Sequence, residues 1–157
     1  MKKEHLQIKT QETTMRIQNT TLEAVRKKTI EKSTIRLFDK NKVAIASALG
    51  RADWNALERT AKEKLSLGLK YPYPLSKDTR DHRKYPLKKK MDDKTLMETT
   101  EKILAFLNDD FPEFRFSQMV TKRTVSKQMW NTDNLDLFED KSALEIGLIF
   151  KEKSSAD

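Results

Sequence analysis

Thr14-Met15-Arg16-Ile17-Gln18-Asn19-Thr20-Thr21-Leu22-Glu23-Ala24-Val25 is the stretch on which the reading of the chain turns. Met15 and Ile17 alternate with polar residues, and Leu22 with Ala24 or Val25 begins another run. Gln18-Asn19-Thr20-Thr21 lies between them with the make-up of a hairpin turn, because Asn tolerates left-handed backbone. Outward from this hairpin, Leu6, Ile8 and Thr10 form an earlier alternating run. Thr29 to Phe38 and Val43 to Ala46 form two later ones, joined by Asp39-Lys40-Asn41-Lys42 as a tight turn. The first fifty residues therefore read as a meander of short antiparallel strands.

The middle of the chain changes period. Asp53 can cap a helix over Trp54 to Leu67 that ends at Gly68, with Trp54, Leu57, Ala61 and Leu65 on one face. A Pro- and Tyr-containing basic connector follows over residues 70–91. A second helix runs from Asp93 to Asn108, capped by Asp92 or Asp93, with Leu96, Thr100, Ile103, Leu104 and Leu107 as its buried stripe. Asp109-Asp110-Phe111-Pro112 stops it, since Pro disfavours helical geometry in the residue before it. Strand patterns return at Phe114 and Phe116, then over Met119 to Met129, Leu135 to Phe138 and Leu144 to Phe150, before a polar tail at 151–157. The fold class is α+β: antiparallel strand meanders with two main helices. The two ends also echo each other. Ile17 matches Met129, Asn19-Thr20 matches Asn131-Thr132, Val25 matches Leu137, and Leu37-Phe38 matches Ile149-Phe150. A true repeat would make the fold an internal β-rich duplication.

Composition narrows the function classes. The 157 residues carry 32 Lys plus Arg against 24 Asp plus Glu and no Cys. That length fits a single domain. Without Cys there is no disulfide framework, thiolate zinc site or Cys nucleophile, and a reducing cytoplasm is the expected compartment. No apolar run reaches the ~18 residues of a membrane span, and the basic start Met1-Lys2-Lys3 lacks the apolar core of a signal peptide.

Most of the net charge of +8 sits between Lys70 and Lys90. The cations there are Lys70, Lys77, Arg80, Arg83, Lys84, Lys88, Lys89 and Lys90, interleaved with Tyr71, Tyr73 and Tyr85. Lys70, Tyr71, Tyr73, Lys77, Arg80, Arg83, Lys84, Lys88, Lys89 and Lys90 are the candidate binding residues. Cations that hold phosphates beside rings that stack on bases would make a nucleic-acid-binding module, and a solvated connector is the plainer alternative. Catalytic sets are missing. There is no HExxH or HExxxH, and Gly50, Gly68 and Gly147 are too scattered for a phosphate loop. His5 and His82 are expected to titrate in water, and Trp54 and Trp130 to fill a core or seam. Asp92-Asp93 and Asp109-Asp110 bracket the second helix as capping and terminating residues. The chain reads as non-catalytic, with no catalytic, cofactor-binding or metal residue of its own.

The strand, Asn turn and "Leu-Glu-x-Val" strand of Thr14 to Val25 resemble the opening of the TldD/PmbA family, metallopeptidases also called modulators of DNA gyrase. Ser33 to Ser47, with its paired strands ending near Ala46-Ser47, resembles the family's "Phe-Ala-Ser" strands. Trp130-Asn131-Thr132-Asp133 stands where the family has an "Asn-Ser-x-Gly" turn, and Thr20 where it usually has Gly. The resemblance implies a single N-terminal α/β domain over 1–157, in an enzyme that digests unfolded peptides. Zinc would belong to a longer parent protein. The implied partners are a second TldD/PmbA-type subunit, as homo- or hetero-oligomer, and unfolded peptides. Exposed strand edges near residues 14–28 or 119–130 are the expected pairing surfaces.

Overall fold

The computed structural model describes residues 1–88 and 91–155, apart from the side chain of Gln118. The short strands expected near the N-terminus are merged into two long ones, β1 (Lys2–Gln18) and β2 (Thr21–Asp39), followed by β3 (Lys42–Leu49). Helix α1 (Trp54–Lys64) and a 3-10 turn (Leu65–Leu67) lead into β4 (Leu69–Lys70). The stretch expected to be a plain connector contains a further strand, β5 (Thr79–Tyr85). Helix α2 (Asp93–Asp110) precedes two more long strands, β6 (Phe114–Asn131) and β7 (Leu135–Glu152). The sheet order is β4-β3-β2-β1-β6-β7-β5. Pairing is antiparallel from β2 to β3 and from β3 to β4, with Ile35 opposite Ala46 and Val43 opposite Leu69. β5 runs parallel to β7, Thr79 opposite Leu135 and Tyr85 opposite Lys141, so the sheet is not a pure meander. A parallel partner needs a long crossover, and α2 with β6 supplies it.

The strands merge because their turns need little chain. The β1–β2 loop is Asn19-Thr20 and the β2–β3 loop is Lys40-Asn41, and all four residues have positive φ, between 45° and 63°. Two such residues form the turn whose twist matches that of the flanking strands. At the β6–β7 loop Asn131 Oδ1 accepts from the backbone N–H of Asp133 and of Leu135 at 2.8 and 3.1 Å, and Asn134 takes the left-handed conformation. The two echoing segments are thus both long hairpins, one with a two-residue loop and the other with a three-residue loop.

The contacts divide the chain into two compact units, and the four long strands contribute to both. The first comprises Met1–Thr10, Thr29–Tyr85 and Val125–Lys141. Its core joins Ile35 and Leu37 of β2, Ala46 of β3, and Leu57 and Ala61 of α1. Asp53 caps α1 as expected, its carboxylate accepting from the N–H groups of Asn55 and Ala56 at 2.9 and 3.2 Å. Gly68 does end the helical segment, though at a negative φ of −56°. A side chain there would come within 2.9 Å of the carbonyl oxygens of Leu65 and Val43, so glycine is needed for the close approach to β3.

The second unit comprises Gln11–Lys28, Pro86–Thr124 and Ser142–Asp157. One face of its strands packs on α2, burying Met15, Ile17, Leu96, Leu104 and Val120, with Leu22, Met97 and Leu144 around them. Thr100 is buried in that stripe without penalty, because its hydroxyl donates to the Leu96 carbonyl at 2.8 Å. Asp92 caps α2 by accepting from Thr95 N–H at 2.7 Å. Asp93, one position on, accepts from Lys122 and Lys27 at 2.6 Å each and from the Thr13 hydroxyl at 3.2 Å. One carboxylate thereby ties the start of the helix to β6, β2 and β1. Among the described residues no helix is long and apolar enough to cross a membrane.

Candidate functional site

On the sheet face turned away from α2, the second unit carries an open groove of about 1130 Å³. Strand alternation builds it: Met15 and Ile17 point to the helix, so Glu12, Thr14 and Arg16 point to the groove. Likewise Val120 faces α2 while Ser117 and Met119 face away, and Gly147 and Ile149 continue the floor on β7. On β2 the alternation changes phase. Glu23 pairs with Arg16 and Lys28 with Glu12, an odd number of positions apart, whereas Leu22 and Lys27 both serve the α2 side. Arg26, Lys27 and Lys28 stand together beside the groove, while the Lys27 ammonium reaches Asp93 on the α2 side.

The polar end of the groove is a ladder of alternating charge across four adjacent strands. Lys28 of β2 lies 3.2 Å from Glu12 of β1, which lies 3.1 Å from Arg123 of β6, which lies 3.2 Å from Glu145 of β7. Hydrogen bonds from Lys28 and Arg123 hold the Glu12 carboxyl below its ordinary pKa. Thr14 and Thr121 add a hydroxyl contact at 3.4 Å beside it. The remainder is apolar: Met119 and Ile149 are well exposed, and Gly147 leaves open space where a side chain would stand. Cationic walls over an apolar floor suit an extended chain with mixed apolar and acidic side chains. The sequence reading missed this groove, because its residues come from four strands and share a face only once the pairing is known.

The segment singled out in the sequence is distributed rather than gathered. Lys70 pairs with Lys42 at the end of β4. Tyr71 packs on Phe38 at 5.4 Å between ring centroids and on Tyr73 at 5.5 Å. In β5, Arg80 lies 3.7 Å from Asp136 and Arg83 lies 2.6 Å from Asp81. Lys77, Lys84 and Lys88 are exposed. Lys89 and Lys90 lie outside the described residues.

The two histidines differ: His82 is exposed, whereas His5 is packed between aromatic rings. His82 is held 3.0 Å from Asp136 and its ring lies against Phe138. His5 stacks on Trp130 at 4.9 Å and meets Trp54 edge-on at 5.1 Å. Burial, and then the nearby Lys3 ammonium, push its pKa down against the opposing pull of Glu58 and the Trp130 backbone. Among the described residues there is no group of three or more His, Cys, Asp or Glu that could hold a metal ion.

Solved structures match the chain over 96% of its length. A putative modulator of a DNA gyrase from Thermotoga maritima superposes with a TM-score of 0.72 at 15% identity, the match covering 39% of that protein. TldE from Thermococcus kodakarensis gives 0.70 at 14% identity, again over 39% of its length. The fold is of TldD/PmbA type. A putative modulator of DNA gyrase from Bacteroides thetaiotaomicron extends the likeness, with a TM-score of 0.55 at 9% identity over 36% of that protein. The chain thus spans about two fifths of the length of the first two structures it matches. No protein-family model and no curated protein matches its sequence.

Proposed function

We propose that this chain is a non-catalytic N-terminal domain of a TldD/PmbA-type protein, working in the cytoplasm in subunit assembly and in forming the chamber that admits unfolded peptides. The supporting observation is a TldD/PmbA-type fold over nearly the whole chain that spans only about two fifths of its neighbours. The groove gives the reading a physical form. Arg16, Arg26 and Lys28 would attract acidic side chains of an extended peptide, while Met119 and Ile149 cover its apolar ones. Peptide cleavage, and the zinc it would use, are assigned to a longer parent or to a partner subunit.

The test is fluorescence anisotropy with a labelled, unstructured peptide that alternates Glu and Leu. Binding in the micromolar range is expected, with salt sensitivity and about a tenfold loss in Arg26→Glu. Absence of binding at about 100 µM protein, or binding unchanged in Arg26→Glu, overturns the peptide-guiding role. Hydrolysis of the peptide by this chain alone overturns the non-catalytic one.

A further inference from the structure

The strand edges expected to pair are mostly interior, since β1 and β6 have neighbours on both sides and only residues 21–28 of β2 are open. The first unit offers a different surface, beside the turn between β2 and β3. Phe38 stands near the end of β2, and after α1 the chain returns to it as Lys70-Tyr71-Pro72-Tyr73-Pro74. The Tyr71 backbone N–H donates to the Asn41 carbonyl at 2.7 Å, which fixes this segment against the turn. Tyr71 and Tyr73 each precede a proline, and that restricts their backbone to extended conformations. The rings of Phe38, Tyr71 and Tyr73 follow one another at 5.4 and 5.5 Å, inclined by 58° and 79°. None lies flat on the next, so ring face stays open, and Tyr73 is 69% exposed. The three rings border an open cleft of about 420 Å³ that Lys2, Lys40 and Lys42 also line.

Charge in and beside this cleft is left uncompensated by the chain. Lys42 stands opposite Lys70 in the β3–β4 register, and like charges directly opposite one another destabilise a strand pair. The Lys42 ammonium donates to the Ser66 carbonyl at 3.0 Å, a contact that leaves its charge in place. Among the described residues neither Lys40 nor Lys70 has an ion-pair partner. Lys40 also keeps a φ of 45°, and backbone strain without local compensation gathers at binding sites. Asp39, the acid lining the cleft, lies 4.0 Å from the Met1 amine, and Lys2 is taken up by Asp133. We propose that the first unit binds single-stranded nucleic acid here, with bases stacked on Tyr73 and Tyr71 and phosphates held by Lys40, Lys42 and Lys70. Rings interleaved with cations hold unpaired strands with little regard to sequence, and the net charge of +8 draws a polyanion in. A proline-rich peptide would use the rings but leave the opposed lysines without an anion, and a duplex keeps its base faces covered. Of the candidate residues read from the sequence, Lys70, Tyr71 and Tyr73 take part, joined by Lys40 and Lys42 beside the β2–β3 turn. The cleft belongs to the first unit and the peptide groove to the second, so each has its own test.

Fluorescence anisotropy tests this with labelled oligo(U) and oligo(dT) of about eight nucleotides, a duplex of the same length and a labelled polyproline peptide. Either single strand should bind in the micromolar range at about 50 mM salt, and the tighter of the two identifies the preferred sugar. Affinity should fall with salt at a log–log slope near −2, for about three phosphate contacts. Tyr73→Ala should weaken binding about tenfold through the loss of one stacked base. Lys40→Gln should weaken it and flatten the salt slope by about 0.7, the share of one phosphate. Arg26→Gln, in the peptide groove, should leave it unchanged whichever way the peptide test falls. Circular dichroism of each variant confirms that it is folded. Single strands left unbound at about 100 µM protein overturn the proposal. So do equal binding of the duplex, capture of the polyproline peptide in place of the oligonucleotides, or a loss in Arg26→Gln as large as in Tyr73→Ala. An effect of Tyr73→Ala smaller than about twofold overturns it as well.

Discussion

Lys40 holds a backbone conformation that suits glycine, and nothing about its side chain compensates. Its φ is 45° in the two-residue loop between β2 and β3, where a non-glycine residue costs about 1–2 kcal/mol. Lys40→Gly should therefore stabilise the protein by about 1 kcal/mol, read as a higher urea midpoint at unchanged slope. Thr20 is strained in the same way, with a φ of 63°, but its hydroxyl accepts from Phe116 N–H at 3.1 Å, so glycine would lose a bond there. His5 makes a second residue-scale prediction. Its pKa is lowered in the fold, so the unfolded chain binds the proton more readily. Stability should be intact above the ordinary value of 6.5 and decline as pH falls from there through the lowered value. His5→Phe, which keeps a ring between Trp54 and Trp130, should flatten that slope in denaturant midpoints measured from pH 7.5 to 5. These positions show why residue-scale features were partly legible. Asn in a turn announces left-handed backbone, whereas Lys at φ 45° and a histidine between two tryptophans depend on partners far away in sequence.

Helix α2 depends for its placement on its first turn more than on its length. Asp93 gathers Lys27, Lys122 and Thr13, and hydrogen bonds from the two lysines hold its carboxyl at about 2, against an ordinary 3.8. Glu58 on α1 is held at about 2 in the same manner by Lys3 and Lys62. Both are lowered carboxylates, so their stabilisation is full above the ordinary carboxylate range and is lost as pH falls toward about 2. Acid unfolding should thus begin below pH 4.5. Asp93→Asn should shift that transition upward and weaken hydrogen-exchange protection selectively at the start of α2. Both helices, their caps and their buried stripes were legible, because a 3.6-residue period and an N-cap carboxylate are local signals. Strand β5 was not. Thr79 to Tyr85 has no apolar alternation and carries Arg80, Asp81, Arg83 and Lys84, and it becomes a strand by pairing with the β7 backbone.

The whole molecule places its sequence ends side by side in one sheet. The backbone N–H of Thr132 donates to the Lys3 carbonyl at 3.0 Å, and Thr14 meets Thr121, so β1 pairs with a strand more than a hundred positions downstream. That α+β class was readable from alternating and helical periods, but the order β2-β1-β6-β7 was not, since period alone does not choose a strand's neighbour. The groove follows from that order, which is why it became visible only with it. The same pairing sets a timetable for the growing chain. A hairpin such as β1–β2 closes in about 1–10 µs, whereas a ribosome adding about 5–20 residues per second needs roughly 5–20 s to deliver β6 after β1. For that interval Met15 and Ile17 sit on a strand with one side unclaimed. The nascent protein must spend several seconds as an incomplete sheet, and anything that pauses translation before β6 lengthens its exposure to aggregation or to chaperone capture.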